Sequence, residues 1–137
     1  MEQVFHYPSN IQEIPRIRQD IEFLEREWTI PESEIRQILV IIEELFSNII
    51  RYAYSDDLEH TVDIRLVNSN DQIKIEMIDD GIPFNPVEYR KGSLSDPIAS
   101  DVGGMGLTLI KTFSTNIEYH RISDRNHLFI TKKIKRK

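Results

Sequence analysis

The apolar residues of the N-terminal part follow a helical spacing. Between residues 9 and 28 they form one stripe, which consists of Ile14, Ile17, Ile21 and Leu24. We expect this helix to have Ser9 as its N-cap and to be kinked or delayed at Pro15, because proline has no N–H to donate inside a helix. A second, longer helix is predicted to open at Pro31 and to extend to about Tyr54.

Alternation between apolar and polar residues predicts the strands. The first is VFHYP at residues 4–8. TVDIRLV and QIKIEMID flank the turn NSND and predict an antiparallel hairpin, and IEYHRI and HLFITKKI flank the turn SDRN. A further helix is expected from about Gly104 to Ser114. The elements predict a single α+β domain over residues 1–137, a two-layer α/β sandwich with a mixed or antiparallel sheet covered on one face by helices.

Composition limits the function. With 137 residues and a net charge of −6, the chain suits one domain, and its charge argues against direct binding of nucleic acid. No apolar run approaches the ~18 residues of a membrane span, and no signal sequence is visible. The absence of cysteine excludes disulfides and thiolate metal sites and fits a cytoplasmic location. The basic tail KKIKRK is interpreted as a solvated terminus.

The glycines are confined to one region. All five lie between residues 81 and 106, together with three of the six prolines. Because loops longer than ~12–15 residues in compact domains usually serve a function or are disordered, residues 85–102 are interpreted as a lid. The following GGMGL (residues 103–107) resembles a phosphate cradle at the start of a helix, but it lacks the lysine of a P-loop.

The second helix carries a polar stripe on the side opposite its apolar face. A helical wheel places eight residues on that apolar face: Ile35, Ile38, Leu39, Ile42, Leu45, Phe46, Ile49 and Ala53. Glu44, Asn48 and Arg51 are neighbours along the other side. Each alone is typical of a solvated surface. Together they offer a carboxylate for proton transfer, an amide oxygen for a hard cation and a guanidinium for phosphate.

Asp79 ends the second strand of the first hairpin on its apolar side, whereas Asp80 points the other way. A carboxylate aimed at the interior is unfavourable unless it accepts hydrogen bonds. Next to Gly81, Asp79 could accept an exocyclic amine such as that of adenine, or it could cap the turn DDG. The residues alone leave both interpretations open.

Three segments together resemble a known family. EELFSN, DDGIPF and GGMGL match, in order and spacing, the N, G1 and G2 boxes of the GHKL ATPases. Within that superfamily the chain resembles the small anti-sigma-factor serine kinases over nearly its whole length. The resemblance implies a Bergerat fold with an ATP lid at residues 85–102.

The resemblance also implies a role for each polar residue. Glu44 would be the general base, Asn48 would hold Mg²⁺ against the phosphates of ATP, and Arg51 would lie near those phosphates. Asp79 would accept the adenine amine, partly through water, and Gly81 would let the base approach.

The remaining implied contacts come from the glycine-rich region. Backbone N–H groups at the start of the helix would meet phosphate oxygens, and the residues of this set are Gly103, Gly104, Gly106 and Leu107. Arg90 or Lys91 would contact phosphate when the lid closes. The G1 box departs from the family pattern at Pro83, where its second glycine is expected, and Tyr52 stands where some anti-sigma kinases have histidine.

The activity implied by the resemblance is that of a protein-serine/threonine kinase acting as an anti-sigma factor. It would use ATP and Mg²⁺ to phosphorylate a serine of a STAS-domain anti-sigma-factor antagonist, and it would alternatively bind a sigma factor; relatives often form homodimers. Two other interpretations stay open. One is a module of the same fold that binds ATP without transferring phosphate, and the other is a catalytic fragment of a histidine kinase.

Overall fold

The computed structural model describes residues 1–86 and 109–136. Within them the elements follow in the order β1 (Glu2–Pro8), α1 (Ile14–Glu27), α2 (Glu32–Tyr52), β2 (Thr61–Asn68), β3 (Gln72–Asp79), β4 (Asn116–Ile122) and β5 (Arg125–Lys133). Residues 109–113 are helical, in agreement with the end of the predicted third helix. Most of the predicted lid and all of the GGMGL segment lie outside the described residues.

The strands form one sheet in the order β1-β2-β3-β5-β4, and every pairing is antiparallel. Both predicted hairpins are confirmed. The turn of the second hairpin is tighter than predicted, because Ser123 and Asp124 both adopt positive φ angles, 51° and 63°. Arg125 and Asn126 therefore belong to β5, and the pairing of β3 with β5 places Asn126 opposite Asp79.

One face of the sheet is apolar and forms the core together with the buried faces of α1 and α2. Along β3 the buried positions alternate with more exposed ones: Ile73, Ile75 and Met77 point inward. This arrangement confirms the predicted two-layer α/β sandwich. No helix within the described ranges has the length and apolar character needed to cross a bilayer.

The start of the first helix differs from the prediction. Asn10, not Ser9, is the capping residue, and its Oδ1 accepts a hydrogen bond from the N–H of Gln12 at the start of a short 3-10 helix. The α-helix begins only at Ile14, with Pro15 in its first turn, where a missing N–H has no consequence. Ser9 instead pairs with His60: its N–H donates to the His60 carbonyl, and its Oγ accepts from the His60 N–H, each at 2.8 Å.

The basic tail is not simply solvated, contrary to the prediction. Lys132 points inward on β5, is 3% exposed and donates to Glu34 Oε1 at 3.2 Å. Arg136 donates to the carbonyls of Trp28 and Thr29, both at 2.7 Å, at the end of α1. These cations therefore hold the C-terminal segment against the helices.

The ion pair of Lys132 with Glu34 gives a test of this packing. Glu34→Ala should lower the free energy of unfolding by about 3 kcal/mol, because it leaves the buried Lys132 charge without its partner. The matched control is Glu32→Ala in the same turn of α2, which removes an exposed pair with Arg36 and should change stability little. Urea denaturation measures both, and equal midpoints for the two variants would contradict a structural role for the pair.

Candidate functional site

The polar stripe of α2 is real, but it is not uniformly solvated. Arg51 is exposed, Glu44 is half-buried and Asn48 is only 5% exposed. Ile41, which precedes Glu44 by three residues and so lies on the same side of the helix, is completely buried. The helical wheel assigned α2 a single apolar face, whereas the structure also covers the opposite side at Ile41 and Asn48.

Asn48 carries an unsatisfied polar atom. Its Oδ1 is buried, and no group in the described part of the chain donates a hydrogen bond to it. An unpaired amide oxygen in the interior is unfavourable, and native proteins keep few of them without a reason. Amide oxygens are ligands of hard cations. The position therefore fits a hard cation, and Mg²⁺ at Asn48 stays a prediction.

Glu44 is the neighbouring carboxylate, one turn before Asn48. Burial raises its pKa, and the charge of Arg51 partly opposes that effect. No described residue donates a hydrogen bond to the Glu44 carboxylate. The preceding residue behaves differently, since Glu43 is held by Arg18 at 2.6 Å. Of these adjacent glutamates, the structure thus leaves Glu44 available for proton transfer and engages Glu43 in an ion pair.

Asp79 lies at the end of β3 and is 3% exposed. Its Oδ1 accepts hydrogen bonds from the N–H of Gly81 at 2.9 Å and from Nδ2 of Asn126 at 2.8 Å. Burial raises its pKa, and these two hydrogen bonds lower it, with burial the larger effect. Within the described residues no donor contacts Oδ2. Of the two open interpretations, the turn cap is therefore present on Oδ1, and Oδ2 is still available to an amine.

Asn126 connects this carboxylate to the rest of the turn. Its Nδ2 donates to the Ile82 carbonyl at 2.8 Å as well as to Asp79. Its Oδ1 accepts from the N–H of Phe84 at 3.3 Å, from Nη1 of Arg121 at 3.0 Å and from the hydroxyl of Tyr119. The side chain satisfies both its donor and its acceptor capacity in a buried place, which fixes residues 79–84 to the hairpin of β4 and β5.

Asn126 is not among the site residues predicted from the sequence, because the predicted turn SDRN includes it. A signal was present. Asn126 precedes Leu128, Ile130 and Lys132 at a period of two, so it occupies an inward position of β5. A polar residue at an inward strand position requires a buried partner, and here that partner is Asp79.

Gly81 packs against the end of α2. A Cβ atom at this position would lie 2.7 Å from Ala53 Cβ and 2.8 Å from the Ala53 carbonyl carbon, with the carbonyl oxygen nearer still. The next residue, Ile82, donates its N–H to the same carbonyl at 2.8 Å. The close contact with α2 is thus one reason for glycine here. The predicted approach of a base to Gly81 stays a prediction.

The structure therefore brings the two predicted groups of residues to one end of the domain. The turn after β3 contacts the last turn of α2 at Gly81, and the rings of Phe84 and Tyr52 are 5.5 Å apart. Glu44, Asn48 and Arg51 lie along that same helix. The predicted phosphate-binding residues Gly103, Gly104, Gly106 and Leu107 lie outside the described residues, as do Arg90 and Lys91 in the predicted lid.

Comparison with known proteins identifies the family of the chain. The family model of the histidine kinase-like ATPase domain matches residues 7–132. The chain therefore belongs to the histidine kinase-like ATPase domain family, and the predicted resemblance to the GHKL ATPases is confirmed. Membership of this family implies a binding site for ATP.

Two individual proteins are similar to the chain. The serine/threonine-protein kinase BtrW of Bordetella bronchiseptica is 26% identical over 94 residues, which cover 65% of this chain and 63% of the kinase. The crystal structure of the RsbU and RsbW domains of Rv1364c from Mycobacterium tuberculosis matches 98% of this chain and 32% of that chain, with a TM-score of 0.64 and 13% identity. The structural match confirms the fold. The chain spans less than two thirds of either protein.

The contact between Gly81 and Ala53 can be tested by a single methyl group. Gly81→Ala should lower the free energy of unfolding by about 1–3 kcal/mol, because the added Cβ meets backbone atoms of α2 that cannot rotate away. Ile82→Ala, at the exposed neighbouring position, is the control and should have a smaller effect. Denaturation of both variants measures the difference, and an unchanged midpoint for Gly81→Ala would contradict the close packing.

Proposed function

We propose that the protein is an ATP-binding protein-serine/threonine kinase that acts as an anti-sigma factor. The observation that carries the proposal is the pair on α2: the half-buried carboxylate of Glu44 lies one turn before the buried Oδ1 of Asn48, and no described residue donates a hydrogen bond to either group. One residue offers a base and the other an oxygen ligand for Mg²⁺. The similarity to a serine/threonine-protein kinase supports phosphate transfer to protein.

The adenine of ATP is recognised at Asp79 in this proposal. Oδ1 is occupied by Gly81 and Asn126, so Oδ2 is the oxygen left to accept the exocyclic amine. Arg121 donates to the Gly81 carbonyl at 2.8 Å and to Asn126, which keeps the turn in place without contributing to the base itself. The recognition is thus preorganised, because the protein orients the carboxylate before the nucleotide binds.

In this proposal α2 would hold the phosphates. When bound, Mg²⁺ neutralises negative charge on the phosphates, and Asn48 supplies an oxygen to hold it. Arg51 adds positive charge on the same side of the helix. Gly103, Gly104, Gly106 and Leu107, with the lid at residues 85–102, complete the site in the proposal.

Glu44 acts on the substrate serine. It accepts the hydroxyl proton while the serine oxygen bonds to the γ-phosphorus, the bond from that phosphorus to the bridging oxygen breaks, and ADP leaves. Burial, which raises the pKa of Glu44, makes it a better proton acceptor than a solvated glutamate. The substrate in the proposal is a serine of a STAS-domain anti-sigma-factor antagonist, and a sigma factor is the alternative partner. A homodimer is part of the same expectation.

The experiment that tests the proposal is phosphate transfer from labelled ATP to a cognate STAS-domain protein. Glu44→Gln should slow transfer by about 10²–10⁴-fold and change ATP affinity little, because it removes a proton acceptor and keeps the shape of the side chain. The matched control is Glu43→Gln, which alters the adjacent glutamate and its ion pair with Arg18 and should transfer phosphate at nearly the wild-type rate.

The outcomes separate the remaining functions. Equal transfer rates for wild type and Glu44→Gln would remove Glu44 from the role of base. ATP binding without transfer to the cognate STAS protein would favour the non-catalytic binding module.

Asp79→Asn should raise the stability of the free protein and weaken its binding of ATP. Because the pKa of Asp79 in the folded protein is raised above its unfolded value, folding favours the protonated form. This contribution is fully present below the unfolded pKa and is lost as the pH rises through the folded pKa. The variant, which imitates the protonated acid, should therefore unfold less readily than wild type at pH 7 in the absence of nucleotide. The difference should shrink toward about pH 4.

The same variant should bind ATP at least about tenfold more weakly, because the charged acceptor for the amine is lost. Urea denaturation at both pH values and calorimetric titration with ATP measure the two effects. Wild-type affinity in Asp79→Asn would contradict the assignment of Asp79 to the base.

A further inference from the structure

The loop between α2 and β2, residues 53–60, returns to the turn that carries Asp79. The hydroxyl of Tyr54 donates to Asp80 Oδ1 at 3.2 Å. The rings of Tyr54 and His60 stack, with centroids 4.3 Å apart and an angle of 12° between their planes. Burial, followed by the charges of Asp79 and Asp80, raises the pKa of Tyr54, so the hydroxyl stays a donor.

His60 stands between two carboxylates. Its Nε2 lies 2.8 Å from Asp56 Oδ1, and its Nδ1 lies 3.2 Å from Asp80 Oδ1 and 3.3 Å from Asp80 Oδ2. A neutral imidazole has one N–H and can serve only one of these acceptors, whereas an imidazolium donates to both. The backbone of His60 is fixed by its paired hydrogen bonds with Ser9 at the end of β1. The ring therefore bridges Asp56 and Asp80 from an anchored position.

Asp80 transmits this contact to the candidate site. It joins Asp79, whose Oδ2 is assigned to adenine, to Gly81, whose N–H donates to Asp79 Oδ1. Asp80 itself is exposed, and within the described residues its side chain contacts Tyr54 and His60. Its position therefore depends on the loop of residues 53–60.

We propose that His60 is a positioning residue for nucleotide recognition, which in its charged form bridges Asp56 and Asp80 and so fixes the turn of residues 79–81. It acts through Asp80 and does not touch the nucleotide. The role of this turn in nucleotide binding rests on the proposed function. The bridge of His60 between Asp56 and Asp80 does not depend on that proposal.

The direction of the pH dependence follows from the groups that face the ring. Within the described residues these are Asp56 on its own loop, Asp80 after β3 and the ring of Tyr54. The hydrogen bond to Asp56, and next the contacts with Asp80, raise the pKa of His60 against the opposing effect of burial. The bridge is thus fully present below the unfolded pKa of histidine and is lost as the pH rises through the higher folded value.

The test uses the full chain and begins without nucleotide. In wild type, the amide resonances of Gly81 and Ile82 should shift with pH at the same midpoint as the His60 ring. His60→Asn, which can form a hydrogen bond but cannot titrate, should abolish this pH-dependent step in the Gly81 and Ile82 resonances. The control is His6→Asn, which removes another histidine paired with an aspartate, Asp63 at 2.6 Å, and should keep it. Asp80→Asn should lower the midpoint of His60, because one of its two carboxylates loses its charge.

Calorimetric titration with Mg-ATP over the same pH range adds the functional readout. Wild-type affinity should fall by about two- to fivefold between pH 6 and the pH at which His60 is neutral, the range expected from partly exposed ion pairs. The affinity of His60→Asn for Mg-ATP should not fall over this pH range. A step in the Gly81 and Ile82 resonances that persists in His60→Asn, or its absence in wild type, would overturn the bridge. If the Gly81 and Ile82 resonances shift with pH as expected but the protein binds no ATP, the result would support the bridge and contradict the proposed function.

Discussion

The hydrogen bond between Asp79 and Asn126 holds the candidate site together. It joins two central strands at positions that the antiparallel register places opposite each other, and it lies in the interior, where an unpaired carboxylate would be strongly unfavourable. Because Asn126 also binds the backbone of Ile82 and Phe84, the same contact fixes the turn that packs on the end of α2. Sheet, turn and helix are thereby held in one geometry, in which Asp79 has a fixed position relative to the end of α2.

The helix α2 contains residues that stabilise the fold and one buried residue that lowers its stability. Most of its buried residues are apolar and stabilise the core. Asn48 does the opposite, since its buried oxygen has no partner within the described residues. A residue that lowers the stability of the free protein is consistent with selection for binding, because a ligand that satisfies the oxygen stabilises the folded state by mass action. The adjacent glutamates differ in a similar way: Glu43 forms an ion pair with Arg18, whereas Glu44 has no ion-pair partner among the described residues.

Much of the fold followed from the sequence, because it rests on local rules. Period-two alternation located β2 and β3, and the placement of Pro31 located the start of α2. The errors concern contacts between distant residues. Ser9 was assigned to a helix cap and instead pairs with His60, and Lys132 was assigned to a solvated tail and instead meets Glu34 at a sequence separation of 98 residues. Strand alternation predicted that Asp79 points inward, and the same alternation in β5 marks Asn126 as an inward polar residue. That the two residues are partners follows only from the register of β3 and β5.

The proposed role of the buried Asn48 oxygen as a ligand of Mg²⁺ can be tested by calorimetric titration of ATP, with and without Mg²⁺, into wild type and Asn48→Leu. Mg²⁺ should tighten ATP binding to wild type, whereas Asn48→Leu should fold, bind free ATP and gain no affinity from Mg²⁺. An equal gain in affinity from Mg²⁺ in both proteins would contradict this role.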